Sequence, residues 1–119
     1  MPPAHRHYSV YLLSNQPNGT LYIGVTSSLE GRMSQHKTGA FEGFSKRYGL
    51  TRLVYYEGYR NVNTAIAREK ELKGWLRARK VELIRKDNPL WCDLAEDWFD
   101  ADVVKAARVA NARAPRVSS

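Results

Sequence analysis

Tyr8-Ser9-Val10-Tyr11-Leu12-Leu13 and Leu21-Tyr22-Ile23-Gly24-Val25-Thr26 decide the fold of this 119-residue chain. Each run alternates two sets of side chains, the period of a β-strand. Between them Asn15-Gln16-Pro17-Asn18-Gly19 gathers turn-forming residues, so the pair reads as a β-hairpin. Leu21, Ile23 and Val25 share one side of the second strand, and Tyr22, Gly24 and Thr26 the other. With the aliphatic sets turned to the core, Tyr11 and Tyr22 share the opposite, more polar face. Gly24 on that face leaves room for a ligand or another backbone to approach closely.

Working outward, Ser27-Ser28-Leu29-Glu30 fits a capping box with Ser27 as N-cap. It opens a helix over about 28–38 that stops at Gly39. Arg32 and His36 are i and i+4 in that helix and lie on one face. His36 falls nearly in line with Leu29 and close to Met33, a position that suits a core histidine as well as a catalyst. Residues 40–50 mix aromatics, glycines and basic groups in a loop. Arg52 to Tyr56 reads as a third strand. Asn63 or Thr64 caps a second helix running to about Arg77, and a third spans about 79–86 before Asn88-Pro89. Leu90, Trp91, Leu94 and Trp98 read as a segment folding back on the core. From about Phe99 the composition turns to alanine, valine and arginine with little to bury, and the last ten or so residues read as disordered. The expected organisation is a disordered stretch at 1–7, one domain at 8–98 and a partly helical or disordered tail at 99–119.

Glu69 is the sharpest clue among single residues. On a helical wheel Ala65, Leu72 and Leu76 fall within roughly 60° on one side of it and Ile66 about 60° on the other. A carboxylate centred on an apolar stripe needs a cation or a hydrogen-bond network. A core salt bridge answers that need as well as a functional role does.

The chain carries 19 Lys and Arg against 12 Asp and Glu, a formal charge of +7. Residues 1–99 hold 15 basic and 10 acidic side chains, a balance of +5, so the excess belongs to the domain. A net positive domain attracts polyanions, nucleic acid foremost. Eight basic and three acidic residues fall within 68–86, which reads as a phosphate-tracking surface. Lys70, Lys73, Arg77, Arg79 and Lys80 are the candidates there, extended by Lys46 and Arg47 from the loop. Cys92 is the lone cysteine, which precludes an intramolecular disulfide and, with scattered histidines, a zinc site; it reads as a small apolar residue. Nucleotide-binding glycine loops, HExxH and GxSxG are all absent. The sequence has no run of ~20 apolar residues and no signal-peptide stretch, so the expectation is a cytoplasmic protein with no membrane partner, a monomer or weak dimer.

Taken in order, these residues resemble the GIY-YIG nuclease family, in particular its short stand-alone bacterial members. Ser9-Val10-Tyr11 resembles the first family tripeptide, with Ser in place of Gly, and Tyr22-Ile23-Gly24 matches the second. Arg32, His36 and Glu69 fit the family's arginine, the helical position after it and the metal-binding glutamate. Glu69-Lys70-Glu71-Leu72-Lys73-Gly74-Trp75 and Asn88-Pro89-Leu90-Trp91 add to the likeness, which spans roughly residues 8–94.

The resemblance implies an α/β fold of the α+β type, a small three-stranded antiparallel sheet flanked by helices. It also implies an endonuclease that hydrolyses DNA phosphodiester bonds with one divalent ion, Mg²⁺ or Mn²⁺, held by Glu69. Arg32 then neutralises phosphate oxygens, and Tyr11 or Tyr22 orients or deprotonates the attacking water. His36 bonds a tyrosine or the phosphate, and Lys46 has a similar duty. With binding left to the basic helices and the 40–50 loop, the expected substrate is branched or single-stranded DNA. Two rivals stand beside this reading: an inactive nucleic-acid-binding module on the same scaffold, and a structural protein whose polar cluster is a core ion-pair network.

Overall fold

Strand alternation and turn chemistry build the centre of the molecule, a three-stranded antiparallel sheet of order β2-β1-β3. The computed structural model describes residues 7–40 and 47–113. Strand β1 (Tyr8–Ser14) pairs with β2 (Leu21–Thr26) in a register that sets Tyr11 opposite Gly24 and Leu13 opposite Tyr22. Strand β3 (Arg52–Tyr59) covers the other edge of β1, sets Tyr56 opposite Tyr11, and bulges at Val54, where the register shifts between Leu12 and Leu13 of β1. It runs three residues past the expected end at Tyr56. The hairpin turn is held by Asn15, whose Oδ1 accepts from the Thr20 amide at 3.1 Å, and by Asn18 in the left-handed region (φ 58°).

Helices cover both faces. Helix α1 (Leu29–Thr38) starts at Ser28, whose hydroxyl accepts from the Gly31 amide at 3.2 Å. The expected cap, Ser27, is displaced by one residue because Thr26 Oγ1 already accepts from the Ser28 amide at 3.1 Å and fixes the entry. Gly39 ends α1 at φ 73°, a left-handed cap that glycine adopts without strain. Helix α2 (Val62–Gly74) is capped by Asn61, earlier than Asn63 or Thr64, through bonds from the Asn63 and Thr64 amides at 2.8 and 3.2 Å. Helix α3 (Arg77–Asp87) begins two residues before the expected 79, a short 3₁₀ turn spans Glu96–Trp98, and helix α4 spans Ala101–Arg113. The tail thus finds a partner: Arg108 and Asn111 of α4 donate to the Lys37 and Thr38 carbonyls at the end of α1. The disorder expected at 1–6 and 114–119, and the 41–46 part of the expected loop, lie outside the described residues.

The core has two layers. Val10, Leu12, Ile23 and Val54 meet Ala65 and Leu72 of α2, Ile84 of α3 and Trp91. Tyr11, Leu13 and Leu53 on the opposite face meet Leu29 and Met33 of α1, together with Leu50 and Ala95. The face expected to be the more polar one is therefore also buried. Each fully covered aliphatic side chain contributes about 1.5–3 kcal/mol relative to exposure.

Three further expectations change. Leu76 is 79% exposed. Helical period aligns it with Leu72, but α2 stops at Gly74 and the period does not carry past the break. Leu90 and Leu94 are exposed while Trp91 is buried. Cys92 is exposed and free rather than a packed apolar residue. Asn88 organises that segment: its amide donates to the Val54 carbonyl (3.1 Å) and the Cys92 carbonyl (2.9 Å), and its Oδ1 accepts from the Cys92 amide (2.9 Å).

Candidate active site

Three aromatic rings meet on the α1 side of the sheet. Tyr11 and Tyr22 ring centres lie 6.2 Å apart, Tyr11 and His36 6.0 Å, and Tyr22 and His36 5.9 Å. The Tyr11 hydroxyl is 3.4 Å from His36 Nε2, a long hydrogen bond whose direction follows the imidazole tautomer. Arg32, one turn before His36 on α1, acts electrostatically on both Tyr11 and His36. Strand alternation places the tyrosines on one face, and the i, i+4 spacing of α1 turns Arg32 and His36 toward them.

The two tyrosines are unequal. Tyr11 is wholly buried on the central strand, whereas Tyr22 is half-buried on edge strand β2. Burial, then the neighbouring Tyr22 hydroxyl, raises the Tyr11 phenol well above its ordinary range; the Arg32 guanidinium pulls the other way without offsetting them. Tyr11 is thus a neutral phenol and a poor base. The space beside Gly24, expected to admit a ligand, is filled by the Tyr11 ring: a Cβ at residue 24 would lie 2.5 Å from the Tyr11 hydroxyl oxygen. His36 is buried as well, and burial followed by the Arg32 charge lowers its pKa to about 4. At neutral pH it is an uncharged imidazole.

Glu69 comes from the other layer. Helix α2 packs on the aliphatic face through Ala65 and Leu72, and the Glu69 side chain between them is 15% exposed. Its Oε2 lies 3.4 Å from Nζ of Lys73, a side chain 54% exposed, so the pair is weak and easily parted. Among the described residues no group of three or more His, Cys, Asp or Glu side chains could enclose a metal ion. One hard, partly open carboxylate with a displaceable lysine fits a Mg²⁺-type ion that keeps its waters and takes phosphate oxygens as further ligands.

The basic candidates divide. Lys70 and Arg47 are exposed, and Arg47 lies 5.6 Å from the Tyr48 ring centre. Lys73 faces Glu69, and Lys80 is half-buried. Arg77 clamps the hairpin turn by donating to the Asn18 and Gly19 carbonyls, both at 2.8 Å. Arg79 stacks 3.8 Å above the Trp75 ring. Lys46 lies outside the described residues.

Sequence reasoning missed a second polar cluster. Glu57 on β3 accepts from Tyr55, from Tyr59 at 2.5 Å, and from Arg68 of α2 at 2.9 Å through both Nε and Nη2. Burial alone would raise the Glu57 carboxyl, but these donors outweigh it and hold it below its usual range. The i, i+2, i+4 spacing of Tyr55, Glu57 and Tyr59 on one strand face was the signal available for it.

A three-stranded antiparallel sheet with strand tyrosines facing an arginine and a histidine on the next helix defines the class. The chain belongs to the GIY-YIG family: the sequence model described as the GIY-YIG catalytic domain matches residues 7–82. It is similar to UPF0213 protein SH2523 of Staphylococcus haemolyticus (strain JCSC1435), 32% identical over 81 residues, which cover 68% of this chain and 96% of that protein. UPF0213 protein CPE1444 of Clostridium perfringens (strain 13 / Type A) is 35% identical over 75 residues, 63% of this chain and 80% of that protein. No solved structure matches. The family points to nuclease chemistry and to nucleic acid as the partner. None of the helices among the described residues is long and apolar enough to cross a membrane.

Proposed function

We propose that the protein is an endonuclease that hydrolyses DNA phosphodiester bonds with a single divalent ion, Mg²⁺ or Mn²⁺, and that it selects branched or single-stranded DNA in the cytoplasm. The observation that carries this reading is the convergence of Tyr11, Tyr22, Arg32 and His36 from three separate segments onto one side of the sheet. Glu69 would hold the ion, which when bound supplies positive charge at the scissile phosphate and the leaving oxygen.

The chain's own groups do the rest. Arg32 offers its fork of N–H donors to the non-bridging oxygens as charge builds there. Tyr22, the accessible phenol, orients the attacking water. Tyr11 is a positioning residue: neutral and buried, it fixes the Tyr22 ring and keeps Arg32 in place. His36, uncharged, supports the same phenol and adds no competing charge beside Arg32. Lys70, Lys73 and Arg47 steer the phosphate backbone toward the site.

A substrate panel of labelled duplex, single-stranded and branched DNA, with Mg²⁺ or Mn²⁺, tests the assignment beside Tyr22→Phe. Cutting of the branched or single-stranded forms, reduced at least about 100-fold in the variant, is the outcome this reading requires. The burial of Tyr11 favours a second reading, an inactive nucleic-acid-binding module. Salt-sensitive binding of DNA without cutting under any of these conditions would select it.

A further inference from the structure

Where α2 gives way to α3, Trp75 and Arg79 open a cleft of about 610 Å³ that is also lined by Glu82, Arg85, Lys86 and Pro89. Its order is built from behind. Glu57, held by Tyr55 and Tyr59, fixes Arg68 through two bonds of 2.9 Å. The Arg68 guanidinium lies 5.1 Å from the Trp75 ring centre, and Arg79 stacks on the same ring at 3.8 Å. A guanidinium stacked on indole has already lost much of its rotamer freedom, while its N–H edge and outer face remain available. Arg85 and Lys86 add two exposed cations, against one opposing charge from Glu82.

We propose that this cleft is a single-strand subsite, in which a nucleobase stacks against the Arg79–Trp75 pair and the flanking phosphates pair with Arg85 and Lys86. Flat π and guanidinium surfaces accept any base, and cations beside them track the backbone; the two together are the chemistry of sequence-tolerant single-strand binding. The cleft volume suits one or two nucleotides rather than a duplex. Its lining comes from the end of α2 and from α3, the layer that packs on the aliphatic face of the sheet rather than on the tyrosine face. The inference rests on the nucleic-acid reading above and gives it a substrate class: DNA with an unpaired segment.

The test is fluorescence anisotropy of a labelled 12-residue oligothymidylate, titrated in EDTA across a salt series so that cutting plays no part. Wild type is compared with Arg85→Gln/Lys86→Gln, with Arg79→Gln, and with the charge-matched control Arg60→Gln/Lys105→Gln on other exposed positions. Losing two phosphate contacts lowers the slope of log K against log salt by about 1.4, or about 25-fold in affinity at 0.1 M salt relative to 1 M. Arg79→Gln weakens binding too, whereas the control double variant leaves the slope near wild type. Equal losses in the cleft and control variants, or no binding by wild type, would overturn the subsite. Thymidine monophosphate competing as well per phosphate as the oligomer would overturn it as a strand site. A protein that binds through the cleft yet never cuts would refute the nuclease reading alone; one that cuts with unchanged binding in the cleft variants would refute the subsite alone.

Discussion

Gly24→Ala puts the packing of the site to a quantitative test. The added Cβ would stand 2.5 Å from the Tyr11 hydroxyl oxygen, 2.6 Å from Cζ and 2.9 Å from Cε1, all inside contact distance. Tyr11 is wholly buried, with Tyr22 and His36 on its other sides, so the ring has nowhere to retreat without moving them. Overpacking of this kind costs about 1–3 kcal/mol. The reduced freedom of the unfolded chain returns about 0.4–1 kcal/mol on replacing glycine. The net is a loss of about 1–2 kcal/mol, which lowers Tm by roughly 5–15 °C in a domain of this size. Thermal melts followed by circular dichroism measure it. Gly74→Ala is the internal control: nothing lies within 4 Å of its added Cβ, and the residue sits in the last turn of α2. That change should stabilise by up to about 1 kcal/mol. In a Tyr11→Leu background the cost of Gly24→Ala should largely vanish, as a double-mutant cycle would report. A Gly24→Ala protein as stable as wild type, or the same cost with Tyr11 shortened, would refute the packing argument.

Two other outcomes follow from the same structure. Asn88→Ala removes three hydrogen bonds and strands the Val54 carbonyl in the core, so urea unfolding should show a loss of about 2–4 kcal/mol; a loss under about 0.5 would contradict the anchoring role. The His36 pKa, lowered to about 4 in the fold against about 6.5 when unfolded, makes the unfolded chain bind more protons between those values. Its contribution to stability is therefore complete above about pH 6.5 and is lost as pH falls toward 4. An NMR titration of the native protein should put the His36 midpoint near 4, and a midpoint at or above 6.5 would show that the ring is not buried beside Arg32.

Much of this architecture was legible from local chemistry. Alternation in Tyr8–Leu13 and Leu21–Thr26, with turn residues between, was enough for the hairpin, and Gly39 for the end of α1. What local patterns cannot carry is strand order. Tyr11 and Tyr22 look equivalent in sequence, yet β1 is central and β2 is an edge, so one phenol is sealed and the other half-open. The same limit misjudged the tyrosine face, which α1 and the segment at Ala95 cover from far along the chain. Leu76 failed for a different reason, a helix break at Gly74–Trp75 that periodicity does not register. The stacking of Arg79 on Trp75 needs α3 to turn back at Leu76, a geometry that composition leaves open. At the candidate site, residue types and order were readable, whereas the neutral state of Tyr11 and His36 follows only from burial.

The most direct measurement is a cleavage gel of the wild-type protein and Glu69→Ala on branched and single-stranded DNA, with Mg²⁺ and with EDTA. Glu69 is partly open and only weakly paired, so the variant should fold, which circular dichroism checks. The account requires Mg²⁺-dependent cutting by wild type, abolished by EDTA and by Glu69→Ala. Cutting that persists in the folded variant, or no cutting by wild type on either substrate, would contradict it.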